Sequence, residues 1–477
     1  MWITLVIIII LNSKHLQEIL ASKFPFNFTS EQKKIVDSIS DFTTSISTGS
    51  IFLLKGYAGT GKTTLISALV KSLSSVNKRS VLLAPTGRAA KVLSKYSSKL
   101  ASTIHRKIYW IRSRKNGNTY IKIKENTHSN TIFIVDEASM IPEASDKSFG
   151  NRSLLDDLIE YVYDGIGCKL VLIGDTAQLP PVHLDLSPAL DEGFLETNYN
   201  KDIITYTMKQ VVRQSKDSTV LLNATNLRDR LSSEDFRFPK FEVSNDVIRI
   251  QSGEELQDSL ESAYSQSGVT NTIVLCRSNK RANIYNEQIR SRIRFQENEI
   301  STGDMLMVVR NNYFWLDDKS KAGFIANGDI VEVIKVKETI EIYGFRFAKI
   351  LVQLVDYPDE KELDVIVMLD TLKSETPSLS YDEYKKLYAE VAADYLGDKE
   401  ANKKIKENEY FNALQIKFSY AITCHKSQGG QWDNVFVDLG YFKEEMLDKS
   451  YFRWMYTACT RASKRLFLIN FKEDFFY

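Results

Sequence analysis

Short apolar runs alternate with amphipathic stretches along most of the chain. In the first half, apolar runs predict four buried strands, at 51–54, 81–84, 131–135 and 169–173. Apolar residues at helical spacing predict the helices around them, at 29–40, 89–100 and 154–163. Strands that alternate with helices in this way are typical of a parallel sheet covered on both faces. The first half therefore predicts an α/β domain.

The second half predicts another α/β unit with a long insertion. Its strand candidates lie at 272–276, 419–422, 434–438 and 466–470. Between them, turn-separated strand patterns from about residue 303 suggest a small barrel, and charged helical patterns follow it at 381–395 and 399–409. In the first half, an Asn-Gly turn between β-rich arms predicts a hairpin at 108–124.

These patterns divide the chain into domains. We expect a first domain at 24–205 that carries the hairpin insertion at 106–130. We expect a second domain formed by 206–302 and 412–477, and an accessory domain at 303–411.

The N-terminal residues 2–11 are almost wholly apolar. This run is far shorter than the ~20 residues that span a bilayer. It also has no basic n-region and no clear cleavage site, which disfavours a signal peptide. We therefore expect residues 1–23 to be a leader outside the fold, and we expect no membrane attachment.

Composition is that of a globular protein of 477 residues with almost balanced charge, 62 basic against 61 acidic residues. A surface for nucleic acid would therefore be a local basic track and not a property of the whole molecule. The four cysteines, Cys168, Cys276, Cys424 and Cys459, are far apart and lack C-x-x-C spacing. They indicate reduced, buried thiols, so we expect a cytoplasmic protein.

A phosphate-loop pattern, GxxxxGK[ST], lies between the strand at 51–54 and a helix that opens at Thr63. Glycines let backbone N–H groups surround phosphate oxygens, Lys62 reaches the β and γ phosphates, and the Thr63 hydroxyl binds Mg²⁺. The pattern predicts a site for Mg²⁺ and a nucleoside triphosphate. Its nucleotide-binding residues are Gly56, Ala58, Gly59, Thr60, Gly61, Lys62, Thr63 and Thr64.

Asp136 and Glu137 follow the buried strand at 131–135. Acidic pairs usually lie on solvated surfaces, but a pair that ends a buried strand after a phosphate loop favours catalysis. Asp136 is then the ligand of Mg²⁺ and Glu137 the group that orients and deprotonates water. After the next strand, Gln178 can bond to the γ-phosphate, unless its loop is an ordinary surface turn.

The sequence DEAS at 136–139, followed by GDTAQLPPV at 174–182, resembles motifs II and III of superfamily 1 helicases. The segments 423–430 and 456–462 resemble motifs V and VI, and 212–214 resembles motif IV. From 28 to 471 the chain resembles the RecD-like 5′-to-3′ branch, and within it the Dda-like group. The resemblance implies an α/β fold of two RecA-like P-loop domains, with a β-hairpin in the first and a small SH3-like barrel plus helical arm in the second.

The resemblance also implies further residues of the ATP site. Arg213 and Arg461 would reach the γ-phosphate from the second domain, because a guanidinium pairs with two oxygens at once. A surface salt bridge is the alternative for either residue. Gln32 stands where the family reads adenine, and Gln428 and Gly429 would line the nucleotide.

A path for single-stranded DNA follows from the same resemblance. Motifs Ia and Ib correspond to segments whose hydroxyls and backbone N–H groups can meet phosphates. Motif V would face the same strand, and Trp432 would offer a stacking plane. The alternatives are a packed histidine at 105 and a core tryptophan at 432. The expected contacts are Pro85, Thr86, Gly87, Arg88, Thr103, His105, Thr423, His425 and Trp432.

The hairpin occupies the position of the strand-separating pin of Dda-like helicases. Its arms carry three aromatic residues, Tyr109, Trp110 and Tyr120. The turn at 115–118 is polar, unlike a hydrophobic tip, so the wedge residue stays open.

The sequence thus predicts an ATP-dependent DNA helicase that acts as a monomer on single-stranded DNA and fork duplex. A single-stranded-DNA-binding protein or a replisome partner would fit this role. The alternatives are an RNA-directed superfamily 1 helicase and a DNA-stimulated translocase that remodels protein–DNA complexes without efficient unwinding.

Overall fold

The computed structural model describes residues 2–113, 119–143, 152–212, 218–316, 320, 322 and 324–477. The first domain contains strands β1 (Ser50–Gly56), β2 (Arg79–Ala84), β3 (Ala101–Thr103), β4 (Tyr109–Ser113), β5 (Thr119–Ile123), β6 (Thr131–Val135), β7 (Lys169–Gly174) and β8 (Asp202–Met208). Its helices are α1 (Trp2–Lys23), α2 (Ser30–Thr44), α3 (Lys62–Ser72), α4 (Gly87–Ser97), α5 (Ile104–Ile108), α6 (Leu154–Asp164) and α7 (Glu192–Tyr199).

Six of these strands form one parallel sheet in the order β3-β2-β6-β7-β1-β8. Alternate residues of β1 belong to different cores, since Ile51 and Leu53 pack on one face and Phe52 and Leu54 on the other. Such two-sided burial is the reason that the strands of a covered parallel sheet are apolar throughout. The α/β prediction for this domain is confirmed, and β4 and β5 form the predicted antiparallel hairpin.

Helix α1 corrects the prediction that residues 1–23 lie outside the fold. Leu16 and Leu20 are fully buried, and Leu20 packs in the same core as Phe24 and helix α2. The hydroxyl of Ser13 donates to Asp41 in α2 at 2.6 Å. Buried residues recur at 13, 16, 20 and 24, which is helical spacing that the preceding apolar run obscures. In the described part of the chain, no helix is long and apolar enough to cross a membrane.

The rest of the chain forms the second domain and the accessory domain. In chain order its helices are α8 (Thr219–Ser233), α9 (Gly253–Ser267), α10 (Asn279–Gln288), α11 (Tyr381–Ala393), α12 (Ala401–Glu407) and α13 (Lys449–Cys459). Its strands are β9 (Val247–Ile250), β10 (Thr272–Cys276), β11 (Met305–Val308), β12 (Ile330–Ile342), β13 (Phe345–Leu354), β14 (Leu363–Met368), β15 (Leu414–Phe418), β16 (Ala421–Thr423), β17 (Trp432–Asp438) and β18 (Ala462–Ile469).

The second domain has a parallel sheet in the order β16-β10-β17-β18-β9, and the accessory domain is a closed barrel of β11 to β15. Helices α11 and α12 form the arm, and their Leu387, Val391 and Ile405 pack with barrel residues. Two RecA-like α/β domains with a hairpin, a small barrel and a helical arm are therefore confirmed. All four cysteines are buried free thiols.

Two expected domain boundaries need correction. Strand β8 pairs with β1 along its whole length, so the first sheet extends to Met208 and not to 205. Strand β15 closes the barrel by pairing with β11 and β14, so the accessory domain extends past 411 to Phe418. The sequence hides β15 because polar Gln415 and Lys417 interrupt its apolar run, although both side chains are buried.

Candidate ATP site and nucleic-acid surface

The phosphate loop connects β1 to α3. Gly59 and Gly61 have φ of 74° and 88°, a region that L side chains rarely adopt. Gly61 is also the N-cap of α3, so the first backbone N–H groups of that helix point into the loop. The Lys62 ammonium donates to the carbonyls of Gly56 at 2.6 Å and Tyr57 at 2.9 Å. The loop thus combines a helix N-terminus with a cation, which fits a chain of phosphates.

Gln32 ties α2 to this loop. Its Nε2 donates to the carbonyl of Thr60 at 3.1 Å, and its Oε1 accepts from the backbone N–H of Thr29 at 3.0 Å. The side chain is buried, and an added Cβ at Gly61 would lie 2.9 Å from its amide nitrogen. In this structure Gln32 supports the loop, and its reading of adenine stays a prediction.

Asp136 and Glu137 lie directly after β6, and the Glu137 N–H donates to Asp136 Oδ1 at 2.9 Å. Glu137 has a φ of 55°, which turns the chain sharply at the strand end. Burial raises the pKa of Asp136. Burial also raises the pKa of Glu137 to about 7, against the opposing charge of Arg461 and with further help from Asp136. A carboxyl group with a pKa near neutrality suits a general base.

The loop after β7 carries Gln178, and the charge of its Asp175 reaches Glu137 and helps to raise the pKa of that carboxyl. Asp175 also shapes this loop, because Asp175 Oδ1 accepts from the backbone N–H of Ala177 at 2.9 Å. Gln178 is buried, and within the described part of the chain its Oε1 has no hydrogen-bond partner. A buried polar atom without a partner requires an explanation, and a ligand bound in this site would supply one. The loop is not an ordinary surface turn.

The second domain closes this site with motifs V and VI. Gln428 Nε2 donates to the carbonyl of Leu179 in the first domain at 2.6 Å. Arg461 is buried, and its guanidinium donates to the carbonyls of Thr457 at 3.1 Å and Gly430 at 3.2 Å. Its charge acts on Glu137, which excludes the alternative of a surface salt bridge. An added Cβ at Gly429 would lie 2.6 Å from that of Ala89, so motif V lies against α4.

Helix α13 adds two residues that sequence reasoning did not select. Tyr456 accepts a hydrogen bond from the Ala58 N–H at 2.8 Å and donates to Asp175 at 2.7 Å. Thr457 accepts from the Leu179 N–H at 2.9 Å. Their only signal in the sequence is membership of the segment that contains Arg461.

Arg213 lies outside the described residues, so its role stays a prediction. The residue before it is described, and the Val212 N–H donates to the carbonyl of Gly59 at 3.1 Å. The motif that contains Arg213 therefore reaches the phosphate loop.

The segments expected to bind single-stranded DNA lie at the starts of short helices. Thr86 caps α4 by accepting from the Ala89 N–H at 3.2 Å, and Thr103 caps α5 by accepting from the Arg106 N–H at 3.2 Å. Across the cleft, Thr423 ends β16 and His425 is exposed after it. Pro85 and His105 are partly exposed, which is compatible with a surface role.

The accessory barrel lies against this part of the first domain. An added Cβ at Gly87, the first residue of α4, would lie 2.7 Å from Asp329 Oδ1 of the barrel. One turn later, Lys91 forms a salt bridge with Asp356 at 2.9 Å. The barrel thus contacts the same helix start that is expected to meet DNA phosphates.

Trp432 is not a stacking platform, contrary to the prediction. Only 3% of it is exposed, and the guanidinium of Arg88 lies 4.0 Å from its ring centroid. Arg88 thereby connects α4 to the second domain through a cation–π contact. The core alternative is the one that the structure supports, because β17 turns this side chain inward.

The structure also changes which aromatic residues of the hairpin could separate the strands. Tyr109 is buried and donates to Asp157 in α6 at 2.7 Å, so it anchors the hairpin and is not a wedge. Trp110 is 52% exposed and packs near Lys124. It lies at the surface of the hairpin, and its role as a wedge stays a prediction. The turn at 114–118 and the side chain of Tyr120 lie outside the described residues.

Comparisons with known proteins agree with this arrangement. A family model described as an AAA domain matches residues 27–249, and one described as a UvrD-like helicase C-terminal domain matches residues 418–469. Together these matches support a superfamily 1 helicase of the RecD-like branch. The first segment contains the phosphate loop, Asp136 and Glu137, and the second contains Gln428 and Arg461.

The individual relatives share between 23% and 29% of their aligned residues with this chain, over segments of different length. The uncharacterized protein R530 of Acanthamoeba polyphaga mimivirus is 23% identical over 92% of this chain and 99% of its own length. The ATP-dependent DNA helicase dda of Enterobacteria phage T4 is 25% identical over 80% of this chain and 86% of its own. The ATP-dependent RecD2 DNA helicase of Deinococcus radiodurans is 29% identical over 37% of this chain and 21% of its own.

Among solved structures, one of two coordinating Pif1 helicases at forked DNA covers 94% of both chains, at 17% identity and a TM-score of 0.47. This score is too low to support a functional comparison.

The ATP site of this helicase also fits a magnesium ion. The carboxylate of Asp136 ends a strand beside the loop that holds Thr63, and oxygen atoms of both kinds are ligands that Mg²⁺ prefers. A magnesium ion that bridges phosphates usually keeps few protein ligands, so one carboxylate and one hydroxyl suffice.

Proposed function

We propose that this protein is an ATP-dependent DNA helicase that moves 5′ to 3′ on single-stranded DNA and displaces the opposite strand. The observation that carries the proposal is the cleft between the two α/β domains. One wall holds the phosphate loop, Asp136 and Glu137, and the other holds Gln428 and Arg461. Because hydrolysis requires both walls, binding and release of nucleotide would move the domains and thereby the DNA.

The residues of the cleft have complementary tasks in hydrolysis. Glu137, when ionised, takes a proton from the water that attacks the γ-phosphorus. Lys62 and Arg461 offset the negative charge that spreads over the γ-oxygens, and Gln178 orients the water or phosphate. Mg²⁺, held by Thr63 and Asp136, would supply further charge neutralisation.

DNA is the favoured polymer because two relatives, the proteins of phage T4 and Deinococcus radiodurans, are named DNA helicases. The 5′-to-3′ direction is proposed from membership of the RecD-like branch. Single-stranded DNA would pass the starts of α4 and α5 in the first domain and His425 in the second. The likeness to the RecD-like branch is also the reason for four further proposals. The protein would act on a fork duplex, work with a single-stranded-DNA-binding protein, function as a monomer and be located in the cytoplasm.

The test uses two partial duplexes, one with a 5′ single-stranded tail and one with a 3′ tail, and follows strand displacement together with ATP turnover. We expect ATP-dependent displacement only from the 5′ tail. Preference for the 3′ tail would contradict the direction, and DNA-stimulated turnover without displacement would indicate a translocase. Stronger stimulation by RNA than by DNA oligonucleotides would contradict the choice of polymer.

A further inference from the structure

The hydroxyl of Tyr456 joins three separate parts of the ATP site. It lies on α13 of the second domain, and the residue is only 1% exposed. Both of its partners belong to the first domain: the N–H of Ala58 in the phosphate loop, at 2.8 Å, and Asp175 Oδ2 in the loop after β7, at 2.7 Å. One atom of the second domain therefore touches both loops of the first domain that face the phosphates.

The direction of these two hydrogen bonds is fixed by chemistry. A backbone N–H only donates, so the phenolic oxygen accepts from Ala58 and its hydrogen goes to the Asp175 carboxylate. Burial and the charge of Asp175 raise the pKa of Tyr456, which keeps the hydroxyl protonated. The result is a continuous chain of hydrogen bonds from the phosphate loop through Tyr456 to Asp175.

The same helix also holds the far side of the Gln178 loop. Thr457 accepts from the Leu179 N–H at 2.9 Å, and Asp175 accepts from the Ala177 N–H at 2.9 Å. Gln178 is thus fixed between two anchor points that both depend on α13. Any movement of α13 relative to the first domain would shift Gln178 and the Ala58 amide together.

We propose that Tyr456 is a positioning residue that couples closure of the cleft to the placement of Gln178 and of the phosphate loop. This inference rests on the proposed function and deepens it. The Ala58 N–H is a donor of the phosphate loop, so nucleotide and Tyr456 have to share it or exchange it. DNA that moves the second domain acts on the rate of hydrolysis through this contact.

The test is Tyr456→Phe in the full chain, which removes the hydroxyl and keeps the ring. Tyr451→Phe is the matched control, since Tyr451 is fully buried on the same helix but packs against Arg277, with the guanidinium 4.2 Å from its ring centroid. The measurements are kcat and KM for ATP with and without an oligo-dT strand, together with thermal unfolding.

We expect Tyr456→Phe to lower the DNA-stimulated kcat about tenfold, the effect of one lost hydrogen bond to a charged, buried partner. We expect its KM for ATP to stay within about twofold, because Phe leaves the Ala58 amide free for phosphate. The stimulation of turnover by oligo-dT is expected to fall towards unity. Tyr451→Phe is expected to keep the wild-type values of all three.

Several outcomes would overturn the inference. One is a folded Tyr456→Phe protein with wild-type kcat and stimulation. Another is an equal loss in both variants with an equal loss of thermal stability, which would show a structural role only. If Tyr456→Phe unfolds too easily for assay, Asp175→Asn takes its place, and wild-type kcat in that variant would also refute the proposal.

Failure of the proposed function looks different. If the wild-type protein shows no turnover that DNA stimulates, the helicase proposal fails. The comparison of basal kcat between Tyr456→Phe and Tyr451→Phe then still decides the role of Tyr456.

Discussion

The pKa of Glu137 predicts how ATP hydrolysis depends on pH. Burial raises this pKa from 4.5 to about 7, and the charges of Arg461 and Lys62 limit the rise. As a general base, Glu137 works only when ionised. We therefore expect activity to fall as the pH drops through 7, well above the range in which an ordinary glutamate protonates.

The magnitude follows from the fraction of ionised carboxylate. With a pKa of about 7, roughly one tenth of Glu137 is ionised at pH 6 and roughly nine tenths at pH 8. The value of kcat/KM for ATP is thus expected to rise about tenfold over this interval. An ordinary glutamate is almost fully ionised at pH 6 and would give a flat profile. The quantity to measure is kcat/KM because it reports the free enzyme.

The assay needs a correction for the substrate, since a terminal phosphate also ionises near pH 6. The variant Glu137→Gln supplies this correction. Its affinity for ATP at each pH depends on every ionising group except Glu137, including the terminal phosphate. A corrected profile that stays flat between pH 5.5 and 8 would refute the assignment of Glu137 as the base with a raised pKa.

The same shift affects stability, with a definite sign. A carboxyl whose pKa is raised by folding favours the protonated state, so its contribution to stability is lost as the pH rises from 4.5 through about 7. Glutamine stays neutral at every pH. We expect Glu137→Gln to melt at a higher temperature than the wild type at pH 8, and the difference to shrink at pH 5. A difference that does not change with pH would contradict the shift.

Three further predictions concern the phosphate loop and the first helix. Lys62→Ala is expected to abolish ATP turnover without changing the thermal unfolding temperature, and unchanged turnover would contradict the site. Gly61→Ala places a Cβ at φ 88° and 2.9 Å from the Gln32 amide, so we expect urea unfolding to show a loss of about 1–2 kcal/mol and the KM for ATP to rise. Leu20→Ala is expected to cost about 2–5 kcal/mol of unfolding free energy because Leu20 is fully buried. Leu11→Ala, at a residue that is 60% exposed, is its control and is expected to change little.

The chemistry of the ATP site was predictable where it depends on local sequence. A phosphate loop needs its glycines, lysine and hydroxyl residue within eight consecutive positions. In this chain all of them, including Lys62 and Thr63, are therefore visible in one short sequence pattern. Asp136 and Glu137 were predictable for a related reason, because they directly follow a buried strand and strand ends of one parallel sheet meet at one edge. Strands β1 and β6 and helix α3 lie where the sequence predicts them, and the roles of these residues in binding and hydrolysis stay predictions.

Contacts between distant segments were not predictable. Tyr456 bonds to Ala58 across 398 positions of the chain, and no spacing in the sequence reports such a pair. The direction of an aromatic side chain is equally hidden, since Trp432 and Tyr109 stand at the starts of strands and turn inward. Helix α1 was missed because its buried positions are masked by an apolar run that precedes them.

The partners of Lys62 and Arg461 explain why both walls of the cleft have to act together. Each cation donates to two backbone carbonyls of its own domain. Lys62 donates to two carbonyls of the first domain, and Arg461 donates to two carbonyls of the second. Phosphate oxygens carry negative charge, so they attract a cation more strongly than neutral carbonyl oxygens do. ATP therefore gains by replacing carbonyls at both cations, although the number of hydrogen bonds need not rise. Because the two cations belong to different domains, the full gain is available only when the cleft closes, which makes nucleotide binding the force that draws the domains together.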